Sequence, residues 1–283
     1  MINNFIYIVT NYSFMGRAVL AAVLVGVIAG AIGTFIILRG LSLMGDAISH
    51  AVIPGVAISQ VLGISYLIGA SIFGILASFA IGFISEKSKL KKDAIIGIVF
   101  SSFFALGLVL ISRIRSVTDL HSVLFGNVLT VSRGDIIITS IVGIILFLFI
   151  VLFYKELLIT SFDETLAKVY GFKTRAIHYL FLSMLTLVIV TSLQVVGAIL
   201  IVAMIIAPAA TGYLLTNRLP IMLFLSTAIG AVGAIIGMFF SITFNFPSGA
   251  SIVLTLSSIF TLTLILAPKR GLLYQIKNKS NIR

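Results

Sequence analysis

AVLAAVLVGVIAGAIGTFIIL, residues 18–38, runs without a single charged side chain. At about 1.5 Å of rise per residue, a helix of this length matches the ~30 Å hydrocarbon core of a bilayer. Apolar and polar residues do not alternate along it, as they would over the ~10-residue strands of a membrane β-barrel. The stretch therefore reads as a transmembrane helix.

Runs of the same kind recur outward from it, including IIITSIVGIILFLFIVLF (136–153) and SIVLTLSSIFTLTLILA (251–267). The 283 residues are 60% hydrophobic and 10% charged, with a mean hydropathy of +1.25. Soluble domains carry about 25% charged residues, so this chain has too little polar surface to be coated by water. The predicted fold class is an all-α polytopic membrane protein, a single domain over 1–283. Spans are expected at 17–38, 41–61, 64–84, 94–112, 136–154, 177–194, 197–216, 220–242 and 249–267. Gly197, Pro208 and Gly212 leave open whether 197–216 is one helix. The composition of DLHSVLFGNVLTV (119–131) leaves open whether it dips into the membrane.

A net charge of +11 could suggest nucleic acid, but the basic residues sit in short loops and in the tail 268–283. With the C-terminus cytoplasmic, 15 of the 19 Lys and Arg face inward, leaving Arg17, Arg113, Arg115 and Arg133 outside. That asymmetry predicts a cytoplasmic C-terminus and an outer N-terminus. No nucleic-acid partner is expected. The start, MINNFIYIVTNYSF, has neither a basic n-region nor a small-residue cleavage site, and reads as a short interfacial segment. The absence of cysteine excludes disulfides, thiolate metal sites and cysteine nucleophiles.

The acidic residues are eight and the histidines three, and all but two lie in loops or at span ends. The exceptions are Asp46 and His50, in RGLSLMGDAISHAVIPG (39–55). Spacing i to i+4 puts both on one helical face. If the span starts near Leu41, Asp46 lies about 8 Å deep and His50 about 14 Å, near the middle of the hydrocarbon. A carboxylate there costs ~2.5–3.5 kcal/mol on insertion scales and is generally turned toward a cavity or a partner. Three plainer readings stand beside a functional one: Asp46 as an N-cap, the two residues satisfying only each other, or a proton relay. A carboxylate oxygen and an imidazole nitrogen suit manganese, zinc or iron(II). Two donors bind weakly, as a transported ion requires, and a second copy of the chain would bring a second pair. Gly40, Gly45, Gly55 and Pro54 allow close helix approach or a break near the pair. Met204 offers a thioether, although a buried methionine usually fills a core. Asp119 and His121 could receive an ion at the outer mouth, in the loop 113–135 with Asn127 and Asp135, or be ordinary solvated loop residues. Neither H-E-x-x-H nor G-x-S-x-G occurs, so no intramembrane catalytic constellation is expected. No G-x-x-x-x-G-K-[ST] occurs either, so the chain is expected not to hydrolyse ATP.

The stretch 155–176, KELLITSFDETLAKVYGFKTRA, is longer than a simple connection needs. Ser161 or Asp163 can cap a short helix, Leu166 and Val169 give it apolar contacts, and Gly171 can stop it. Such a helix on the cytoplasmic face is either a docking surface or an unpartnered solvated loop.

ILRGLSLMGDAISHAVIPGVAIS (37–59) resembles the signature of the permease subunits of bacterial ABC importers for manganese, zinc and iron. LLITSFDETLAKVYGF (157–172) and VVGAILIVAMIIAPAATGYL (195–214) agree with it, and the resemblance runs from about 17 to 268. The wording around Asp46 and His50 looks most like the manganese importers. The resemblance implies a type II importer permease fold of about eight to nine transmembrane helices in the bacterial plasma membrane. It also implies a homodimer around a central pathway, two ATP-binding subunits beneath, and a metal-binding lipoprotein or periplasmic binding protein above. Asp46 and His50 become transient ligands of the transported ion, and no resident cofactor is expected. Ser161, Phe162, Asp163, Glu164, Leu166, Ala167 and Gly171 become the segment coupled to the ATPase. A stand-alone, proton-coupled metal transporter is the competing function.

Overall fold

The computed structural model describes residues 2–113 and 130–267. Within them the regular elements are helices: α1 (Ile2–Asn11), α2 (Ser13–Arg39), α3 (Met44–Ala51), α4 (Ile53–Leu62), α5 (Tyr66–Lys87), α6 (Lys92–Arg113), α7 (Arg133–Leu152), α8 (Tyr154–Phe162), α9 (Glu164–Val169), α10 (Thr174–Val196), α11 (Ala198–Leu215), α12 (Leu219–Phe244) and α13 (Ser248–Leu266). Seven of these, α2, α5, α6, α7, α10, α12 and α13, are long and apolar enough to cross a membrane.

The seventh expected crossing, 197–216, is the shorter helix α11, which runs unbroken through Pro208. Gly197 is not inside it but alone separates it from α10, at φ 83° and ψ 165°. Only glycine occupies that backbone region readily.

The second expected crossing departs from the sequence reading. Residues 41–61 do not form one helix but the two short helices α3 and α4, meeting at Val52. Two local causes act. Gly40, at φ 64°, ends α2 in a left-handed turn and delays the new helix to Met44. Pro54 then has no N–H to give to the carbonyl four residues back, that of His50. The loop 155–176 likewise carries two helices, α8 and α9, rather than one.

The bundle is built around α2, the most buried of the crossing helices. It packs on α7, α10, α11 and α12. Its glycines make this contact close: a Cβ on Gly26 or Gly30 would strike the backbone carbonyl of Gly230 or Ser226 in α12, and one on Gly33 the carbonyl of Ile205 in α11. Small residues let helix backbones approach where no water drives association. Outward faces carry large apolar side chains such as Ile144, Val151, Phe224 and Leu254, as lipid contact requires. The start, read from the sequence as an interfacial segment, forms the helix α1, whose Phe5 meets Phe239 of α12 edge-on at 5.5 Å.

Residues the charge count assigns to the cytoplasm meet at one end of the bundle. Arg39 at the end of α2 bonds to α8, and Glu86 at the end of α5 pairs with Arg175 at the start of α10. These residues define the basic end of the bundle.

Candidate metal site

Helix α3 places the site. Its first turn begins at Met44, so Asp46 is the third helical residue and not the N-cap, a position held by Leu43. A carboxylate in the first turn still interacts well with the positive end of the helix dipole. Because α3 starts three residues later than a helix from Leu41 would, the rise from its start is only about 3 Å to Asp46 and about 9 Å to His50. Met44, Gly45, Ala47, Ile48, Ser49 and Ala51 are buried against the bundle. The remaining face carries the pair.

Asp46 Oδ1 lies 3.4 Å from His50 Nε2, so the expected shared face is present. The Asp46 side chain is 54% exposed and that of His50 only 22%. The imidazole is held edge-on by Phe100 and Phe104 of α6, with centroids at 5.5 and 5.7 Å. Those two rings stack on each other at 5.8 Å. This aromatic wall fixes the imidazole plane and leaves the Nε2 edge beside the carboxylate. His50 Nδ1 is buried without a hydrogen-bond partner. Metal-binding histidines are normally oriented by a bond from their second nitrogen; here packing against phenylalanines orients the ring instead.

As a metal site, the pair of one chain would supply only part of a coordination sphere. Among the described residues no group of three or more His, Asp or Glu side chains could hold an ion. Met204 is fully buried in the hydrophobic core, which fits core filling rather than ligation. Asp119, His121 and Asn127, and with them the possible membrane dip at 119–131, lie largely outside the described residues, as does the tail 268–283. Asp135 is described and closes a capping box with Ser132 at the start of α7.

The segment at the basic end forms as an elbow. Asp163, between α8 and α9, accepts hydrogen bonds from the Thr165 and Leu166 N–H groups at 2.8 and 2.9 Å and is the N-cap of α9. Ser161 is no cap: it lies inside α8, and its hydroxyl receives the Arg39 Nε–H at 3.1 Å. Gly171, at φ 79°, ends the segment. Ala167 is buried, whereas Leu166 is exposed, and Phe162, Val169 and Tyr170 are 66%, 83% and 68% exposed. Leu166 and Val169, the residues read as giving the short helix its apolar contacts, face outward. Glu164 pairs with Lys168 at 2.8 Å. That hydrogen bond, aided by the Lys168 charge and opposed by partial burial, holds the Glu164 carboxyl below its ordinary value.

Two features escaped the sequence. Phe100 and Phe104 are spaced i, i+4, a readable signal for a shared face, but nothing local says which helix they meet. Arg39 counted only as a loop charge, and its partners Thr160 and Ser161 are 121 and 122 residues away.

Comparison with known proteins bears on the fold and the family. Residues 11–267 match the ABC 3 transport family. The chain is 53% identical over 269 residues to the manganese transport system membrane protein MntC of Listeria monocytogenes, covering 95% of this chain and 96% of that one. It is 52% identical over 270 residues to the manganese import system permease protein ScaB of Streptococcus gordonii, covering 95% and 97%. Its fold matches PsaBC from Streptococcus pneumoniae, solved in complex with Fab, at a TM-score of 0.86 and 51% identity, covering 95% of this chain and 98% of that one. A polytopic helical bundle matched over nearly its whole length in these ways belongs to the ABC 3 transport family of membrane proteins.

Proposed function

We propose that this chain is the permease of an ATP-driven importer of divalent transition-metal ions, with manganese as the first cargo and zinc or iron(II) as the alternatives. The observation that carries the reading is the Asp46–His50 pair, presented on the exposed face of a short helix in a chain of the ABC 3 transport family. The relatives named as manganese transport and import proteins support the cargo.

In this reading the chain is not an enzyme, and ATP is hydrolysed by a separate ATP-binding subunit. That subunit docks at the basic end, which lies in the cytoplasm with the C-terminus. Exposed Phe162, Leu166, Val169 and Tyr170 give it an apolar surface, and the Asp163 cap holds that surface in one shape. An extracellular metal-binding lipoprotein or periplasmic binding protein delivers the ion at the opposite end. A second copy of the chain completes the site, since two pairs offer two carboxylates and two imidazoles. Such a set accepts manganese, zinc and iron alike, and zinc the more tightly, so selection among them rests partly on the delivering protein.

The test is uptake by the complex reconstituted with its ATP-binding subunit. Uptake of radioactive manganese should require ATP and be competed by excess unlabelled manganese. Preferred uptake of zinc or iron would change the cargo. Metal movement by this chain alone down a proton gradient would refute the importer.

A further inference from the structure

A cavity of about 620 Å³ opens at the basic end, between α2, α5, α10 and the α8–α9 elbow. Its walls carry Arg39, Lys92, Lys168 and Arg175 against Glu86 and Glu164. Both carboxylates are taken by neighbours, Glu86 by Arg175 at 3.0 Å and Glu164 by Lys168 at 2.8 Å. Arg39 instead reaches across to the elbow. Its Nη2 donates to Thr160 Oγ1 at 2.9 Å and its Nε to Ser161 Oγ at 3.1 Å. Its guanidinium lies 4.4 Å above the ring centroid of Phe181 in α10. Thr160 and Ser161 spend their own protons on the carbonyls of Glu156 and Leu157, both at 2.6 Å. Their lone pairs are thereby left for Arg39.

The backbone on the far side of Arg39 is bonded just as fully. The Leu41 N–H donates to the Ile36 carbonyl at 3.0 Å and the Gly40 N–H to that of Ile37 at 3.2 Å, the paired bonds of a Schellman turn. The Met44 N–H follows to Leu41 O at 2.9 Å and the Ala47 N–H to Leu43 O at 3.0 Å. A hydrogen-bonded path thus runs from the elbow, through one side chain and one tight turn, into the helix turn that holds Asp46. A cation at the end of α2 would serve the helix dipole as a lysine too. Two donors in a fixed fork, with a face stacked on an aromatic ring, are specific to arginine.

We propose that Arg39 is a positioning residue that transmits displacement of the α8–α9 elbow to α3, and so sets the presentation of Asp46 and His50 in step with the ATPase. The cavity beside it gives the elbow room to move as a unit. This inference rests on the importer reading.

The experiment measures manganese uptake and ATP hydrolysis in the same liposomes holding the complex with its ATP-binding subunit. Arg39→Gln should leave hydrolysis within about twofold of wild type while lowering manganese moved per ATP by about tenfold, inside the usual range of coupling between sites. Arg39→Lys keeps the charge without the fork and should recover only part of that ratio. Thr160→Val replaces one acceptor by a methyl of the same shape and should also lower the ratio. It decides the matter if the Arg39 variants fail to assemble. Uptake and hydrolysis falling together, or an unchanged ratio, would overturn the proposal and reduce Arg39 to a helix-end cation. Wild-type complex that hydrolyses ATP yet moves no manganese would refute the manganese importer itself, a separate result.

Discussion

Asp46 and His50 share a face but not an environment. Asp46 stands more than half exposed, whereas the imidazole is packed against a wall of two stacked phenylalanines. In the proposed importer, the carboxylate would swing toward an arriving ion while the ring stayed fixed as the second donor. Asp46→Asn keeps the shape and removes the charge. His50→Ala removes the donor. Either change should abolish manganese-dependent growth, with protein level and assembly with the ATP-binding subunit intact on blots and pull-downs. Wild-type uptake by either variant would make the pair structural. Gly197 gives a different residue-scale prediction. At φ 83° and ψ 165°, buried between α10 and α11, it adopts a conformation that costs other residues ~1–3 kcal/mol. Gly197→Ala should lower the thermal unfolding midpoint in detergent, whereas Gly97→Ala, where a Cβ meets nothing within 4 Å, should not. The pair was legible in the sequence because ionisable groups are costly inside apolar runs. Arg39 was not, because its partners come from a segment more than a hundred residues away.

At the scale of elements, hydropathy sees spans but not breaks. Eight of the nine expected crossings are single helices close to the expected bounds, since length and composition decide them. The remaining one, 41–61, is less apolar than the others because it carries Asp46 and His50, and Gly40 and Pro54 divide its backbone into α3 and α4. Both residues were visible, but their combined effect depends on α3 packing against α5, α6, α10 and α11, which stabilises so short a helix. The elbow obeys the same logic at the basic end. Helix α9 has only six residues and too few internal hydrogen bonds to stand alone, so its Asp163 cap matters more than in a long helix. Asp163→Ala removes both side-chain bonds to the first turn, at a cost of about 1 kcal/mol. It should weaken capture of the ATP-binding subunit in a pull-down, and Asp163→Asn, still a good cap, should restore it. Capture unchanged by Asp163→Ala would place docking elsewhere.

On the scale of the whole molecule, the proposed metal site would be completed by a second copy. One chain brings one carboxylate and one imidazole to the exposed face of α3, and no third acidic or histidine ligand joins them among the described residues. Hard divalent ions take about six ligands when held tightly. A transported ion needs fewer, yet two donors from one flexible carboxylate and one ring leave it mostly to water. Two copies related by a two-fold axis would place the same patch against itself, doubling the donors without any new residue. The sequence bears directly on the test, because it contains no cysteine. A single Asp46→Cys substitution is therefore the sole thiol in the chain, and it needs no prior stripping of native ones. If the pairs face each other across the axis, a short thiol-specific bifunctional reagent should convert the membrane-embedded complex to a species of twice the chain mass. Excess manganese should not protect it, since the substituted site has lost its carboxylates. A control thiol at Val151, on an outward apolar face of α7, should stay monomeric under the same treatment. Equal cross-linking at both positions would mean random collision. None at position 46 would place the two pairs apart and oblige the ion to pass through one chain at a time.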